Sequence, residues 1–221
     1  MMSGDSAEWV LKTLSPARMA PYLAATANDV AAAFRLYQWN LAACAAFYSP
    51  LHWLEVALRN AMHETLRDHF GSERWWEAVS LDRNGHAKVR EAEAKLEKRL
   101  DLQGRATSAD DIVAALTLGF WVSLVSRGDG YDRKLWVPAL HRAFPGFPDR
   151  RRQLHDELDR VRHFRNRIMH YEPIFNRHLT MHHSRIYRLL GYLSVTLKAE
   201  TRRFDRVPQV LTQRPDIDGV R

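Results

Sequence analysis

The chain has 221 residues, 46% of them hydrophobic and 10% aromatic, enough apolar side chain for a real core and too much for global disorder. Its 33 Lys and Arg against 26 Asp and Glu leave a formal charge of +7 at neutral pH, and arginine outnumbers lysine, a balance suited to bidentate phosphate contacts. The single cysteine, Cys44, excludes an internal disulfide and a thiolate metal site. Met1 to Asp5 lacks a basic-then-apolar leader and no run reaches transmembrane length, so the expectation is a cytoplasmic protein without a membrane partner.

Strand signals are scarce, while helical periodicity and caps recur. Ser15-Pro16 reads as an N-cap with proline at the first helical position. Asn28-Asp29 caps an Ala-rich helix running to Tyr48, where Ser49-Pro50 is expected to interrupt it. Leu51, Leu54, Leu58, Met62 and Leu66 mark one face of the next helix, which ends at Phe70-Gly71. Trp75-Trp76 reads as a short turn of helix that plugs an apolar gap. Gly85 to Leu100 is an exposed amphipathic helix, broken over Gly104 to Ser108. Ser108 or Asp110 then caps an apolar helix through Val125.

A loop at Arg127 to Gly130 leads to a short Leu135-Trp136 segment and to Phe144-Pro-Gly-Phe-Pro148. Asp149 caps a long helix carrying Leu154, Leu158, Val161 and Phe164. Pro173 disfavours helical geometry at Glu172, so that helix ends just after His170. A last helix from about Leu179 to Phe204 carries Ile186, Leu189, Leu190, Leu193 and Leu197. The fold expected is an all-α bundle: residues 1–27 a helical extension, 28–205 the main domain, 206–221 a loose tail.

The chemistry concentrates at the end of the long helix, where Arg165, Asn166 and His170 form an R-N-x-x-x-H pattern closed by Pro173. Asn166 and His170 share a helix face and Arg162 joins them from the preceding turn. Arg165 lies five residues before His170, roughly 140° around the helix at about 3.6 residues per turn. An imidazole that moves protons beside a guanidinium that binds anionic oxygens can cleave a phosphodiester without metal. The reaction so envisaged is in-line attack by a ribose 2′-hydroxyl on its own phosphate, which requires RNA.

A second polar stripe, Glu55, Arg59 and His63, is spaced four apart with Asn60 adjacent. A Glu55–Arg59 pair on that stripe is placed to orient Arg165 or to extend a phosphate-binding surface. The supporting set is therefore Glu55, Arg59, Asn60, Arg162 and Arg167. His178, His182 and His183 have metal-like spacing, but residues 176–188 contain no carboxylate, and a basic RNA-facing surface is the better reading. No metal or other cofactor is expected. Glycine-rich phosphate loops and triad-type nucleophile contexts are absent.

Arg165-Asn166-Arg-Ile-Met-His170 resembles the R-x(4–6)-H motif of HEPN-superfamily ribonucleases, including the polar residue after the arginine. Leu51-His-Trp-Leu-Glu55-Val-Ala-Leu-Arg59-Asn60, running on to Phe70-Gly71, is similar to the N-terminal helix signature of Abi-like (abortive infection) proteins. Leu116-Thr-Leu-Gly119-Phe-Trp121 resembles that family's middle helix, and the three pieces span residues 28 to about 200. The resemblance implies a HEPN-like helical bundle, a homodimer with motifs facing across a cleft, and a metal-independent endoribonuclease leaving a 2′,3′-cyclic phosphate. It further implies a role in phage defence or as a toxin, with a cognate antitoxin or regulator this chain does not identify. Carried over by position, Arg165 and His170 are catalytic and Asn166 is the supporting polar residue. The toxin subgroup with tyrosine two after its histidine is not matched: Tyr171 follows at once and Glu172 holds that place.

Two other readings stand beside the enzyme: a non-catalytic helical RNA-binding or protein-interaction module of the same fold, and an adaptor whose apolar helices serve assembly alone. The binding module makes Arg162 and Arg167 matter more than His170, with steep weakening by salt.

Overall fold

The structure is a computed structural model that describes residues 4–100 and 104–217. Every regular element among them is helical. In chain order these are α1 (Gly4–Leu14), α2 (Pro16–Ala25), α3 (Val30–Phe70), α4 (Trp75–Ala78), α5 (Arg83–Leu100), α6 (Ala109–Ala115) and α7 (Leu118–Leu124). After single turns between residues 128 and 143 come α8 (Arg151–Met169), α9 (Leu179–Leu193), α10 (Val195–Arg203) and α11 (Val207–Thr212). The all-α expectation holds.

Local chemistry explains most of the boundaries. Asp29 Oδ1 accepts the N–H groups of Ala31 and Ala32 at 2.8 and 3.0 Å, which caps α3. Gly71, at φ +66°, closes its far end, with its N–H donating to Arg67 O. Pro50 does not interrupt α3, contrary to the sequence reading, and the helix runs 41 residues through it. A helix-interior proline costs about 3 kcal/mol, and the buried Phe47, Leu51 and Leu54 around it gain roughly 1.5–3 kcal/mol each. Tertiary burial wins.

The apolar helix expected from Ser108 to Val125 is two helices. Ser108 and Asp111 form a reciprocal capping box at α6, and Thr117 Oγ1 accepts the Phe120 N–H to start α7. The last long helix is likewise two, because Ser194 Oγ accepts the Leu197 N–H and restarts the chain as α10.

The chain groups into two compact units, and α3, α8 and α9 contribute residues to both. The first comprises Met1–Ser49, Asn166–His183 and Phe204–Arg221. Its core contains Met19, Tyr22, Leu36, Phe47, Ile174 and Phe175, with the Tyr22 and Phe175 rings 4.9 Å apart. Asn40 is 3% exposed, and its Oδ1 accepts the backbone N–H groups of Ile174 and Phe175 at 2.8 and 3.0 Å. Within the stretch expected to be a loose tail, Val207–Thr212 forms α11: Val207 is buried, and Trp39 donates its indole N–H to Val210 O at 2.8 Å, while 218–221 lie outside the described residues.

The second unit comprises Pro50–Arg165 and Ser184–Arg203. Trp75 and Trp76, on the short α4, pack edge-to-face, and Trp75 also meets Phe120 and Trp121. Glu157 on α8 binds Arg185 and Arg188 of α9 at 3.2 and 2.7 Å. Burial pushes its carboxyl up, but hydrogen bonds from the two arginines outweigh that and hold it below the usual range.

An 18-residue window of α3 has a mean hydropathy of 1.2, so by length and composition alone this helix is long and apolar enough to cross a membrane, which the sequence reading did not anticipate. A third of that window is buried inside the protein. The helix also carries Asn40, buried and hydrogen-bonded within the protein.

Candidate functional site

Helix α8 carries Arg165 and Asn166 in its last two turns and ends at Met169, one residue short of the stop just after His170 that the sequence implies. The His170 N–H still donates to Asn166 O at 2.9 Å. The next two amides fold back, Tyr171 N–H to Ile168 O and Glu172 N–H to Arg167 O, with Tyr171 left-handed at φ +58°. That is a Schellman closure with tyrosine where glycine is usual. It leaves His170 and Tyr171 exposed on the turn. Arg18 donates to the Tyr171 carbonyl, and Arg167 pairs with Glu172 at 3.1 Å, so the turn is tied down on two sides.

Arg165 is gripped within the second unit. Its Nε donates to Glu55 Oε2 at 3.1 Å and its Nη2 to Glu55 Oε1 at 3.4 Å, a two-point clamp between α8 and α3. Both side chains are mostly covered, 30% and 24% exposed. The clamp uses the Nε and Nη2 donors of the guanidinium and does not engage Nη1.

The expected Glu55–Arg59 pair does not form. Glu55 has Arg165 as its partner, and Arg59 donates instead to Ala114 O on α6 at 3.3 Å. A partner across the unit restrains Glu55 better than its neighbour one turn away, because the i,i+4 pair offers only a few tenths of a kcal/mol, roughly. Arg162 is bound to Asp159 and to the His163 ring, so it is neutralised on its own helix. Arg167 is likewise paired, with Glu172. Asn166 is half-buried in the helix.

Arg59 and Asn60 meet a feature the sequence did not reveal. With His63, Glu64 and Arg67 of α3 and Asp110, Val113 and Ala114 of α6, they line a cavity of about 300 Å³. His63 is 5% exposed, and the Trp75 indole N–H donates to its Nδ1 at 3.1 Å. An indole nitrogen can only donate, so Nδ1 must accept, and the neutral ring carries its proton on Nε2. Burial holds this imidazole below its ordinary pKa, with Glu73 and Asp110 opposing and Arg67 adding to the effect.

One histidine of α9, His183, finds a carboxylate from outside residues 176–188. Asp205, from beyond α10, reaches His183 Nε2 at 2.5 Å and also accepts the Val207 N–H. The pair fastens the approach to α11. Asp205 was invisible to a local search because it lies 22 residues downstream. The one cluster of metal-like geometry among the described residues is elsewhere: His63, Glu73 and Asp110 place ligand atoms within 4.8 Å of one another.

No family model, curated protein or solved structure matches the chain.

Proposed function

We propose that this protein is a metal-independent endoribonuclease of the HEPN, Abi-like kind, acting in phage defence or as a toxin. In this reading RNA lays its phosphate against the free edge of Arg165. The guanidinium neutralises charge that builds on the phosphate oxygens as the 2′-hydroxyl attacks. His170 exchanges the protons of the attacking and departing oxygens, a second copy of the chain supplying the complementary step. The products are a 2′,3′-cyclic phosphate and a 5′-hydroxyl, and bond breaking needs no water.

The observation that supports this best is the Glu55 clamp on Arg165. A carboxylate that holds one guanidinium edge at a partly covered position fixes the arginine without consuming all of its donors. The motif arginine differs from its neighbours in where its partner comes from: Arg162 and Arg167 pair with acids close by in sequence, whereas Glu55 lies 110 residues from Arg165 on another helix. That difference favours catalysis at Arg165 over a diffuse basic RNA-binding face.

The experiment is cleavage of a mixed RNA substrate in EDTA by the wild type, Arg165→Ala and His170→Ala, with end-group analysis of the products. Cyclic phosphate ends from the wild type, and at least a hundredfold loss in both folded variants, support the proposal. Undiminished cleavage by His170→Ala, or cleavage only with added metal, refutes it. RNA binding without cleavage, lost on charge reversal of Arg162 and Arg167, assigns the protein to the non-catalytic binding class.

A further inference from the structure

Among the residues that line the cavity between α3 and α6, His63 and Arg59 each carry a buried N–H with no hydrogen-bond partner, His63 Nε2 and Arg59 Nε. The nearest carboxylate to His63 Nε2 is Glu73 Oε2 at 3.7 Å, beyond hydrogen-bond reach. Leaving such donors unpaired costs about 1–3 kcal/mol each, which an acceptor that reached them through the cavity would recover.

Three kinds of occupant can be weighed against this chemistry. A metal ion on His63, Glu73 and Asp110 needs a lone pair on Nε2. With Nδ1 already accepting from Trp75, that lone pair exists only if the ring loses both protons. The Trp75 bond therefore argues against a metal. A bare phosphate would find the donors but would also face Asp110 and Glu64, which line the same cavity. A flat neutral ligand carrying both acceptors and N–H donors meets neither objection.

Guanine has that character. Its O6 and N7 are adjacent acceptors for the N–H groups of His63 and Arg59, and its N1–H and 2-amino group are adjacent donors for a carboxylate. Adenine and uracil lack the paired donors, and cytosine has only its single amino group to offer. Arg59 and His63 follow Glu55 by one and two turns of α3, about 6 and 12 Å along the axis. A nucleotide or two of single-stranded RNA spans that distance from a phosphate held at Arg165.

We propose that this cavity is a guanine-selective nucleobase site that sets which RNA position is cleaved, with His63 and Arg59 reading the acceptor edge and Asp110 the donor edge. Its role in cleavage rests on the ribonuclease reading, whereas base binding itself does not.

The test uses the full-length, 15N-labelled protein and follows the Trp75 indole N–H, assigned by substitution among the seven tryptophans. Guanosine, adenosine, cytidine, uridine and inosine 5′-monophosphates are titrated separately. The expected result is a Trp75 shift with guanosine monophosphate at least tenfold tighter than with the other four. Inosine is weakened because it lacks the 2-amino group. Asp110→Asn, of nearly unchanged shape, should weaken the guanosine complex about tenfold while leaving the free spectrum unchanged elsewhere. Equal affinity for all five nucleotides, or no shift with any, overturns the proposal. So does the same shift produced by inorganic phosphate alone, an anion site, or by Zn2+ or Mn2+ alone, a cation site. No cleavage enters this readout, so a protein that binds guanine but leaves RNA intact would retain the base site and lose the nuclease.

Discussion

Glu55 and Arg165 lie 110 residues apart and meet in a two-point ion pair, Nε to Oε2 at 3.1 Å, that joins α3 to α8. The pair has two separable consequences. As a structural link it is mostly covered but not sealed, which places its coupling near 1 kcal/mol. A double-mutant cycle of Glu55→Ala and Arg165→Ala, measured by urea unfolding, should return that value. As a positioning device it should matter more to chemistry. Glu55→Gln keeps the shape and loses the charge, and RNA cleavage at saturating substrate should fall about tenfold with KM little changed. A loss confined to KM would make Glu55 part of a binding surface instead.

Asn40 supports the chain immediately beyond the candidate site. Its Oδ1 takes two backbone N–H groups in a nearly dry position. Asn40→Ala strands both donors, each costing about 1–3 kcal/mol, so a total near 3 kcal/mol is expected. Asn40→Asp preserves the acceptors but buries a charge, and should destabilise mainly above the pKa of the new carboxyl. Chemical denaturation of both variants at neutral and mildly acidic pH checks the pair of expectations. A loss under 1 kcal/mol for Asn40→Ala would show that the 174–175 backbone finds other partners.

The sequence was most legible where structure is decided locally. The Asp29 cap, the stop at Gly71, the short Trp75-Trp76 helix and the end of α8 before Pro173 all follow from side chains within a few residues. Pro50 misled because the rule that prolines break helices is local, whereas the burial that overrides it is not. Thr117 and Ser194 divide apolar runs whose periodicity carries on undisturbed, so a hydroxyl cap is the only sign of the break. At the site, Arg165, Asn166 and His170 were conspicuous from spacing and resemblance. Glu55 was legible as part of a polar stripe placed to orient Arg165, but its direct partner was misread as Arg59. The His63–Trp75 bond left no trace, since a tryptophan in an apolar segment reads as packing.

Acid should reveal that bond. In the folded protein His63 is held below its ordinary value of 6.5, by burial first. As pH falls through about 6.5 the unfolded chain takes up a proton on this ring and the folded chain does not. The unfolded state then binds more protons, so stability declines with falling pH until the folded ring also titrates. His63→Gln removes the difference and should flatten the stability profile of the wild type between pH 7 and about 5. Asp111 acts in a separate window. Hydrogen bonds from the Ser108 side chain and backbone, and then from Arg105, lower it to about 2. Its contribution is complete above the ordinary carboxyl value of 3.8 and disappears as pH drops toward 2. Ser108→Ala, which removes the cap, should cost about 1 kcal/mol at neutral pH. Two-state denaturation across pH 3 to 8 distinguishes the two windows.

Tyr171 carries a conformational strain that its packing does not explain. At φ +58° a residue with a Cβ costs of order 1 kcal/mol or more relative to glycine, and the ring is 75% exposed, so little burial offsets it. Tyr171→Gly should leave stability unchanged or raise it by up to about 1 kcal/mol, because the relief in the folded state is partly cancelled by the greater freedom of the unfolded chain. Tyr171→Val, β-branched, should lose about 1–2 kcal/mol at the same position. If the strain persists because the ring stacks on a nucleobase beside His170, the glycine variant should bind single-stranded RNA about fivefold more weakly despite being no less stable. Fluorescence anisotropy with a labelled oligonucleotide on an Arg165→Ala background keeps the RNA intact during the measurement. Equal affinity for the tyrosine and glycine forms would assign the ring no part in binding and leave the turn as strain without a use.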